Sequence, residues 1–180
     1  MENVASFDER DLRRAFGRFA TGVCVITAAT GDRPVGLTAN SFSTVSLRPP
    51  LVLWCLGAAA SARPAFEAAG YFAINVLRWD QQDMSRQFSS KSLDRFAGID
   101  WQSGRGGAPL LPAAIARFEC RKAATYAEGD HLVFIGAVER FSCTDGDPLL
   151  FAAGRYAIPA AIPDWGAQSR PRDTIDEPIF

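Results

Sequence analysis

The densest group of polar side chains set against an apolar pattern lies between Pro34 and Trp54, PVGLTANSFSTVSLRPPLVLW. Val35, Leu37 and Ala39 alternate with Gly36, Thr38 and Asn40, the period of a strand with one buried face. Ser41, Ser43, Thr44 and Ser46 then break that pattern with hydroxyls, which a purely structural strand does not need but a ligand at the strand end would use. Pro49 and Pro50 restrict the exit, since each lacks a backbone donor and Pro50 pushes Pro49 away from helical geometry. Leu51–Leu56 then reads as a fully buried strand. Arg63 suits a bidentate pair with phosphate, although a lone arginine is more often a solvated surface residue. The sole histidine, His131, stands in Gly129-Asp130-His131 ahead of an apolar run, where Asp130 could fix the imidazole tautomer.

The elements that must position these groups follow from periodicity and turn chemistry. Ser6 and Glu9 have capping-box spacing, and Leu12, Phe16 and Phe19 recur on one helical face, so a surface helix packing on the core is expected near the start. Val23–Ala29 and Val35–Ala39 flank Thr30-Gly31-Asp32-Arg33-Pro34, the chemistry of a hairpin turn. Ser61–Ala69 reads as a short helix ended by Gly70, Tyr71–Leu77 as a buried strand, and Asp80 to about Phe88 as a helix. Ser89–Leu111 reads as a long loop with one short apolar turn at Leu93–Phe96. Ile115–Tyr126 and Leu132–Phe141 are expected as two long strands joined by Ala127–His131, and Leu149–Tyr156 as one last short strand. Six or more mainly antiparallel strands with peripheral helices imply a small closed β-barrel.

The composition narrows the function classes. A chain of 180 residues is expected to form one domain, residues 1–159, with an extended tail over 160–180 that runs over the surface. Nineteen basic against twenty acidic residues give a formal net charge of -1, leaving no field to gather nucleic acid or anionic membrane. Cys24, Cys55, Cys120 and Cys143 lie far apart without a C-x-x-C pair, so neither a zinc site nor a redox dithiol is indicated, and three of the four read as buried thiols. The charged N-terminus is unlike a signal peptide, and the longest apolar run, Leu51–Ala60, is about half of the ~20 residues a membrane span requires, so a cytoplasmic protein is expected. No G-x-G-x-x-G follows a strand and no Walker sequence is present, which argues against a Rossmann domain.

Three segments give the chain a family likeness: GLTANSFSTVSLRPPLV (Gly36–Val52), YFAINVL (Tyr71–Leu77) and EGDHLVFIGAVE (Glu128–Glu139). In their order and spacing the chain resembles the short-chain flavin reductases of the flavin reductase-like group. The resemblance runs from about Phe7 to Tyr156 and implies an FMN-binding split barrel of antiparallel Greek-key type. It further implies an NAD(P)H:flavin oxidoreductase that passes hydride from NADH or NADPH to FMN or FAD and supplies reduced flavin to a separate monooxygenase. A homodimer with active sites near the subunit boundary is part of the same expectation.

Carried over residue by residue, the resemblance places Thr38, Ala39, Asn40 and Ser41 along the flavin ring. Ser43, Val45 and Ser46 continue that wall toward the ribityl chain and phosphate, although a capped turn explains them almost as well. Cys55 and Leu56 lie against the flavin, Ser61 and Arg63 near its phosphate, and Phe88, Ser89, Ser90, Lys91, Arg95 and Phe96 around its outer portion. His131 falls beside the face on which the nicotinamide stacks, in a helper role, and Tyr156 with Arg155 approaches the cofactor from a neighbouring subunit. Hydride transfer is then a positioning problem, with the donor carbon ~3 to 3.5 Å from the acceptor atom and no strong base required. Two other readings stay open on the residues alone: a flavin-binding carrier or sensor without NADH turnover, and an oxidase-like split-barrel enzyme using another substrate, a heme or a deazaflavin.

Overall fold

The structure, a computed structural model, describes residues 8–160 with the exception of Leu93. In chain order its elements are α1 (Glu9–Phe16), β1 (Thr21–Gly22), β2 (Cys24–Thr30), β3 (Arg33–Ala39), β4 (Ser43–Leu47), β5 (Pro50–Gly57), α2 (Arg63–Ala68) and β6 (Tyr71–Val76). They continue with α3 (Gln82–Ser89), β7 (Gln102–Ser103), β8 (Pro109–Leu110), β9 (Ala116–Glu128), β10 (His131–Cys143), β11 (Leu150–Ala152) and β12 (Arg155–Ala157). Seven strands form one antiparallel sheet in the order β3-β2-β6-β9-β10-β5-β4, flanked by a three-stranded sheet, β1-β11-β12, and the small pair β7-β8.

The expected hairpin is present. β2 pairs with β3 from Cys24 opposite Ala39 to Thr30 opposite Arg33, and Gly31 takes the left-handed φ of 59° that the turn requires. The two long strands β9 and β10 meet through a tighter turn than Ala127–His131, because Glu128 already pairs with His131 and leaves only Gly129 and Asp130 between them. Gly129, at a φ of 59°, fits the first central position of such a two-residue turn.

The expected closed barrel is not formed among the described residues. β3 and β4 are the two edges of the sheet and no ladder joins them. Only Asn40, Ser41 and Phe42 separate these edges in sequence, so the sheet has to curl until its edges meet at that corner. The outward groups of β3 are taken by the region around α3 instead of by a strand: the Thr38 hydroxyl donates to Ser85 O at 2.6 Å and Arg95 Nη1 to Gly36 O at 2.9 Å. Inside the curl, Trp54 of β5 stacks on Phe134 of β10 at 4.7 Å and meets the edge of Phe66 of α2 at 4.9 Å. Cys24, Ile26, Ile74 and Cys120 fill the same core from the other half of the sheet.

Several local expectations need correction. β5 is buried on one face only: Val52, Trp54 and Leu56 point inward while Leu51, Leu53 and Cys55 stay half-exposed, because no element among the described residues covers its outer face. α1 is capped by Asp8, which accepts from Arg10 N and Asp11 N, while Ser6 lies outside the described residues. Its apolar residues do not pack on the sheet, since Leu12, Phe16 and the following Phe19 are 38%, 69% and 78% exposed. Asp80 does not start α3; its carboxylate is bonded to Arg78 at 2.7 and 2.8 Å and the helix begins at Gln82. The long loop contains β7, β8 and a 3-10 turn at Arg105–Gly107, and Leu149–Tyr156 is a hairpin rather than one strand.

The buried Asn75 explains why that loop is held. Its amide donates to Val25 O at 3.1 Å, Thr27 Oγ1 at 3.2 Å and Pro109 O at 3.4 Å, and its oxygen accepts from Leu111 N at 2.9 Å. One side chain thereby ties β8 to the outer face of β2 and β6, with its polar atoms satisfied despite full burial. Among the described residues no helix is long and apolar enough to cross a membrane. All four cysteines are free thiols.

Candidate active-site cleft

A cleft of about 400 Å³ opens where the end of β3, the end of β5 and α3 converge, a size within the range of small-molecule sites. Its polar wall carries Thr38, Asn40, Ser41, Ser61, Ser89, Arg95 and His131, and its apolar wall Ala39, Leu56 and Phe88. A second groove of about 440 Å³, running past Gly36, Ser92 and Phe96, shares Ser61, Ala62 and Arg95 with the first, so the two form one elongated trough with Arg95 at the junction. That shape suits a ligand with a flat polar-edged ring and an extended anionic arm.

The groups in the cleft are held in different ways. Ser41 Oγ donates to Cys55 O at 3.1 Å and accepts from Cys55 N at 2.9 Å, so its hydroxyl prolongs the β4–β5 pairing and fixes the corner. Thr38 is likewise committed to Ser85 O, which leaves the backbone and Asn40 as the less engaged groups of this wall. Arg95 is the exception on the opposite side. Nη1 donates to Gly36 O and Nε is buried with no hydrogen-bond partner among the described residues, while the side chain itself lines the wall shared by both grooves. An anionic acceptor, such as the ribityl phosphate arm of a flavin, can pair with the part of the guanidinium that faces the grooves, so the donor set fits that group.

His131 sits at the mouth of the cleft, at the start of β10 and opposite Gly57. Its Nδ1 is 2.7 Å from Asp130 Oδ1, and a Cβ placed on Gly57 would lie 3.9 Å from its Nε2. A Cβ at position 57 would therefore make only ordinary contact with the outer ring nitrogen. The Asp130 carboxyl is held below the usual carboxylate range, first by its hydrogen bond to His131, then by the charge of that ring. With Nδ1–H directed to the carboxylate, neutral His131 presents Nε2 as an acceptor, and protonated His131 presents it as a donor.

Eleven of the expected site residues line this first cleft: Thr38, Ala39, Asn40, Ser41, Cys55, Leu56, Ser61, Phe88, Ser89, Arg95 and His131. Phe96 lines the second groove and packs edge-on against Phe88 at 4.9 Å. Val45 is exposed on the edge strand β4, and Ser46 Oγ accepts from Arg48 N, capping the turn at Pro49 rather than facing the cleft. Arg63 is paired with Glu67 at 3.1 Å, one helical turn on, and donates to Ala58 O. Ser90 bonds back to Gln87 O as α3 ends, and the exposed Lys91 lines neither groove. Tyr156 lies behind the wall: its hydroxyl is 2.8 Å from Ser85 Oγ, and it borders a separate pocket of about 270 Å³ that shares Thr38, Ala39 and Asn40.

One contributor is not apparent from residue type. Gly36 is buried in β3 because a Cβ there would meet Phe88 Cε1 at 2.7 Å, so its lack of a side chain lets Phe88 form the cleft wall. The signal is in the sequence only as a glycine inside a strand pattern, which marks close approach without saying of what.

Comparison with known proteins agrees with this geometry. The model of the flavin reductase like domain matches residues 16–159. The chain is 46% identical over 149 residues to FMN reductase (NADH) SmoA of Agrobacterium fabrum, covering 83% of this chain and 85% of that protein. It is 43% identical over 155 residues to the reductase subunit HsaB of a flavin-dependent monooxygenase from Mycobacterium tuberculosis, covering 84% and 83%. The NADH:FAD oxidoreductase SgcE6 of Streptomyces globisporus, solved in complex with NAD and FAD fragments, superposes with a TM-score of 0.82 at 40% identity, covering 92% of this chain and all of that one. With the family match spanning residues 16–159 and relatives of this identity covered over most of their length, this chain belongs to the flavin reductase like domain family.

Proposed function

We propose that this chain is an NAD(P)H:flavin oxidoreductase that transfers hydride from NADH or NADPH to FMN or FAD and hands the reduced flavin to a separate flavin-dependent monooxygenase. The observation that carries the reading is the trough that joins the Thr38–Ser41 corner to the Arg95 side chain, with His131 at its mouth. The names of SmoA, SgcE6 and HsaB support the donor, the flavin and the partner respectively. A flavin bound in this trough supplies the hydride acceptor; the protein supplies orientation and charge.

The residues divide that work. Thr38, Ala39, Asn40 and Ser41 present the backbone and amide groups of the corner to the ring edge, with Ser41 locked to β5 so that the corner does not move. Cys55, Leu56 and Phe88 give the apolar floor, and Arg95 with Ser61, Ser89 and Phe96 takes the phosphate side. His131, anchored by Asp130, directs Nε2 at the donor's side of the cleft, where it holds the donor amide or balances negative charge. Val45, Ser46, Arg63, Ser90 and Lys91 fall outside this scheme, and Tyr156 supports the wall through Ser85 and α3.

The open sheet whose edges meet at one corner supports the FMN-binding split-barrel reading, and the end of the family match at residue 159 supports a domain over 1–159 with a tail over 160–180. The uncovered Leu12, Phe16 and Phe19 support a homodimer, and four free thiols support a cytoplasmic site. The deciding experiment measures NADH and NADPH oxidation by purified protein with and without FMN, FAD or riboflavin, alongside its absorbance spectrum. Turnover that rises with added flavin is expected. In the His131→Ala variant, oxidation slows roughly 10- to 100-fold while flavin affinity is kept. Bound flavin without turnover in the wild-type protein would sink the reductase reading.

A further inference from the structure

On the flank of α1, four arginines, Arg10, Arg13, Arg14 and Arg18, surround a cavity of about 350 Å³ whose far wall is the Ala153–Gly154 turn. The cavity is a built feature of the fold. Ala153 N donates to Gly17 O at 2.7 Å, which ties the end of α1 to the turn, and Ala153 and Gly154 both hold left-handed φ values, 49° and 77°, that fix the turn's shape. Among the described residues only Arg14 of the four has a carboxylate partner, Asp11 at 3.2 Å. So local a concentration of like charge stands out in a chain of net charge -1, and a bound anion would relieve its self-repulsion.

The cavity is linked electrostatically to the site already described. The Arg13 charge is the last and smallest of the influences that lower the Asp130 carboxyl, well behind the hydrogen bond and charge of His131, so its field reaches the hairpin tip that carries the cleft's histidine. The sequence contains no glycine-rich loop opening a helix to receive a dinucleotide's phosphates, which leaves cationic side chains as the groups suited to their charge. Guanidinium groups present forked donors matched to phosphate oxygens.

We propose that the arginine-lined cavity between α1 and the β11–β12 turn binds the phosphate groups of the nicotinamide donor whose reactive end meets His131. This rests on the reductase reading above and goes beyond it by giving the donor's anionic portion its own site. Because the four side chains are exposed, the attraction is screened, and donor affinity should fall steeply as salt is raised through physiological strength, where the screening length is about 8 Å.

The test compares steady-state kinetics of the wild-type protein with those of Arg13→Gln, the double variant Arg13→Gln/Arg18→Gln and the conservative Arg13→Lys. The double variant should raise the KM for NADH and NADPH about tenfold and leave the KM for FMN within about twofold, with Arg13→Lys between the two. Inorganic pyrophosphate should inhibit the wild-type protein competitively against NADH, and far more weakly the double variant. An increase in KM for both donors assigns the cavity to the pyrophosphate, and an increase for NADPH alone to its 2′-phosphate. An increase confined to FAD, or unchanged donor KM in a variant whose circular dichroism matches the wild type, overturns the proposal. Failure of the wild-type protein to oxidise either donor would instead overturn the reductase reading on which it stands.

Discussion

Replacing Gly36 with alanine tests whether a missing side chain in β3 creates the cleft wall. The backbone at Gly36 has no left-handed φ, so alanine is conformationally acceptable there and the cost is steric. The new methyl would lie 2.7 Å from Phe88 Cε1, 2.9 Å from Cδ1 and 3.1 Å from Phe96 Cζ, where ordinary contacts begin near 3.4 Å. The Phe88 ring must therefore retreat by about 0.7 Å, the difference between 3.4 and 2.7 Å. It has little room, being fully buried and held edge-on by Phe96 at 4.9 Å. Overpacking of this kind costs about 1–3 kcal/mol, offset by about 0.4–1 kcal/mol from the reduced freedom of the unfolded chain. A net loss of about 1–2 kcal/mol lowers the melting temperature by roughly 3–8 °C for a domain of this size. Because Phe88 lines the cleft, the KM for flavin should rise as well. Thermal melts and flavin titrations of Gly36→Ala, Phe88→Leu and the double variant read both effects. The smaller leucine should accommodate the methyl, giving a favourable coupling of at least about 0.5 kcal/mol. A wild-type melting temperature together with an unchanged flavin KM, or strictly additive single effects, would refute the reasoning.

Asn75→Asp keeps the shape of the side chain but replaces its donor with a carboxyl that faces Val25 O and Pro109 O. Only the protonated acid can donate to them, so the folded state retains a proton that the unfolded chain loses above about pH 4. Stability relative to wild type should then fall by about 1.4 kcal/mol per pH unit between about pH 5 and 7 in urea melts; a pH-independent difference would contradict the network described. Thiol titration offers a second check. Burial pushes Cys24 and Cys120 up to about 12, and at Cys120 the Glu119 and Glu139 charges add to the effect. Exposed Cys143 should react with a disulfide reagent at once, half-buried Cys55 slowly, and the other two only after unfolding. Rapid reaction of Cys24 or Cys120 in the folded protein would show that the core opens far more readily than its packing implies.

Much of this arrangement is local and could be read along the chain. The β2–β3 hairpin follows from a turn sequence between two apolar runs, and the Thr38–Ser41 corner from hydroxyls that interrupt an alternating strand. Gly129-Asp130-His131 places a histidine at the start of a strand whatever the rest of the fold does. Other groups have partners that their own residue type does not announce. Arg63 has the chemistry of a phosphate ligand, and its neighbour one turn along the helix, Glu67, pairs with it in this structure. Ser46 has a hydroxyl that accepts from the next turn, and α1 has a core-like stripe that stays exposed among the described residues.

The sequence by itself determined the strand and helix segments, the small polar corner and the family, because these depend on periodicity, turn chemistry and motifs within a few residues of one another. The tertiary structure decided which of the candidate groups share a cleft. Arg95 reaches Gly36 across 59 positions, and Tyr156 reaches Ser85 across 71, pairings set by how the sheet curls rather than by any local pattern. It also decided that the sheet stays open, because the outer edge of β3 is occupied by Arg95 and α3 before another strand can pair with it. Edge hydrogen bonds are satisfied by whichever partner packing brings near, and only the folded chain specifies that partner.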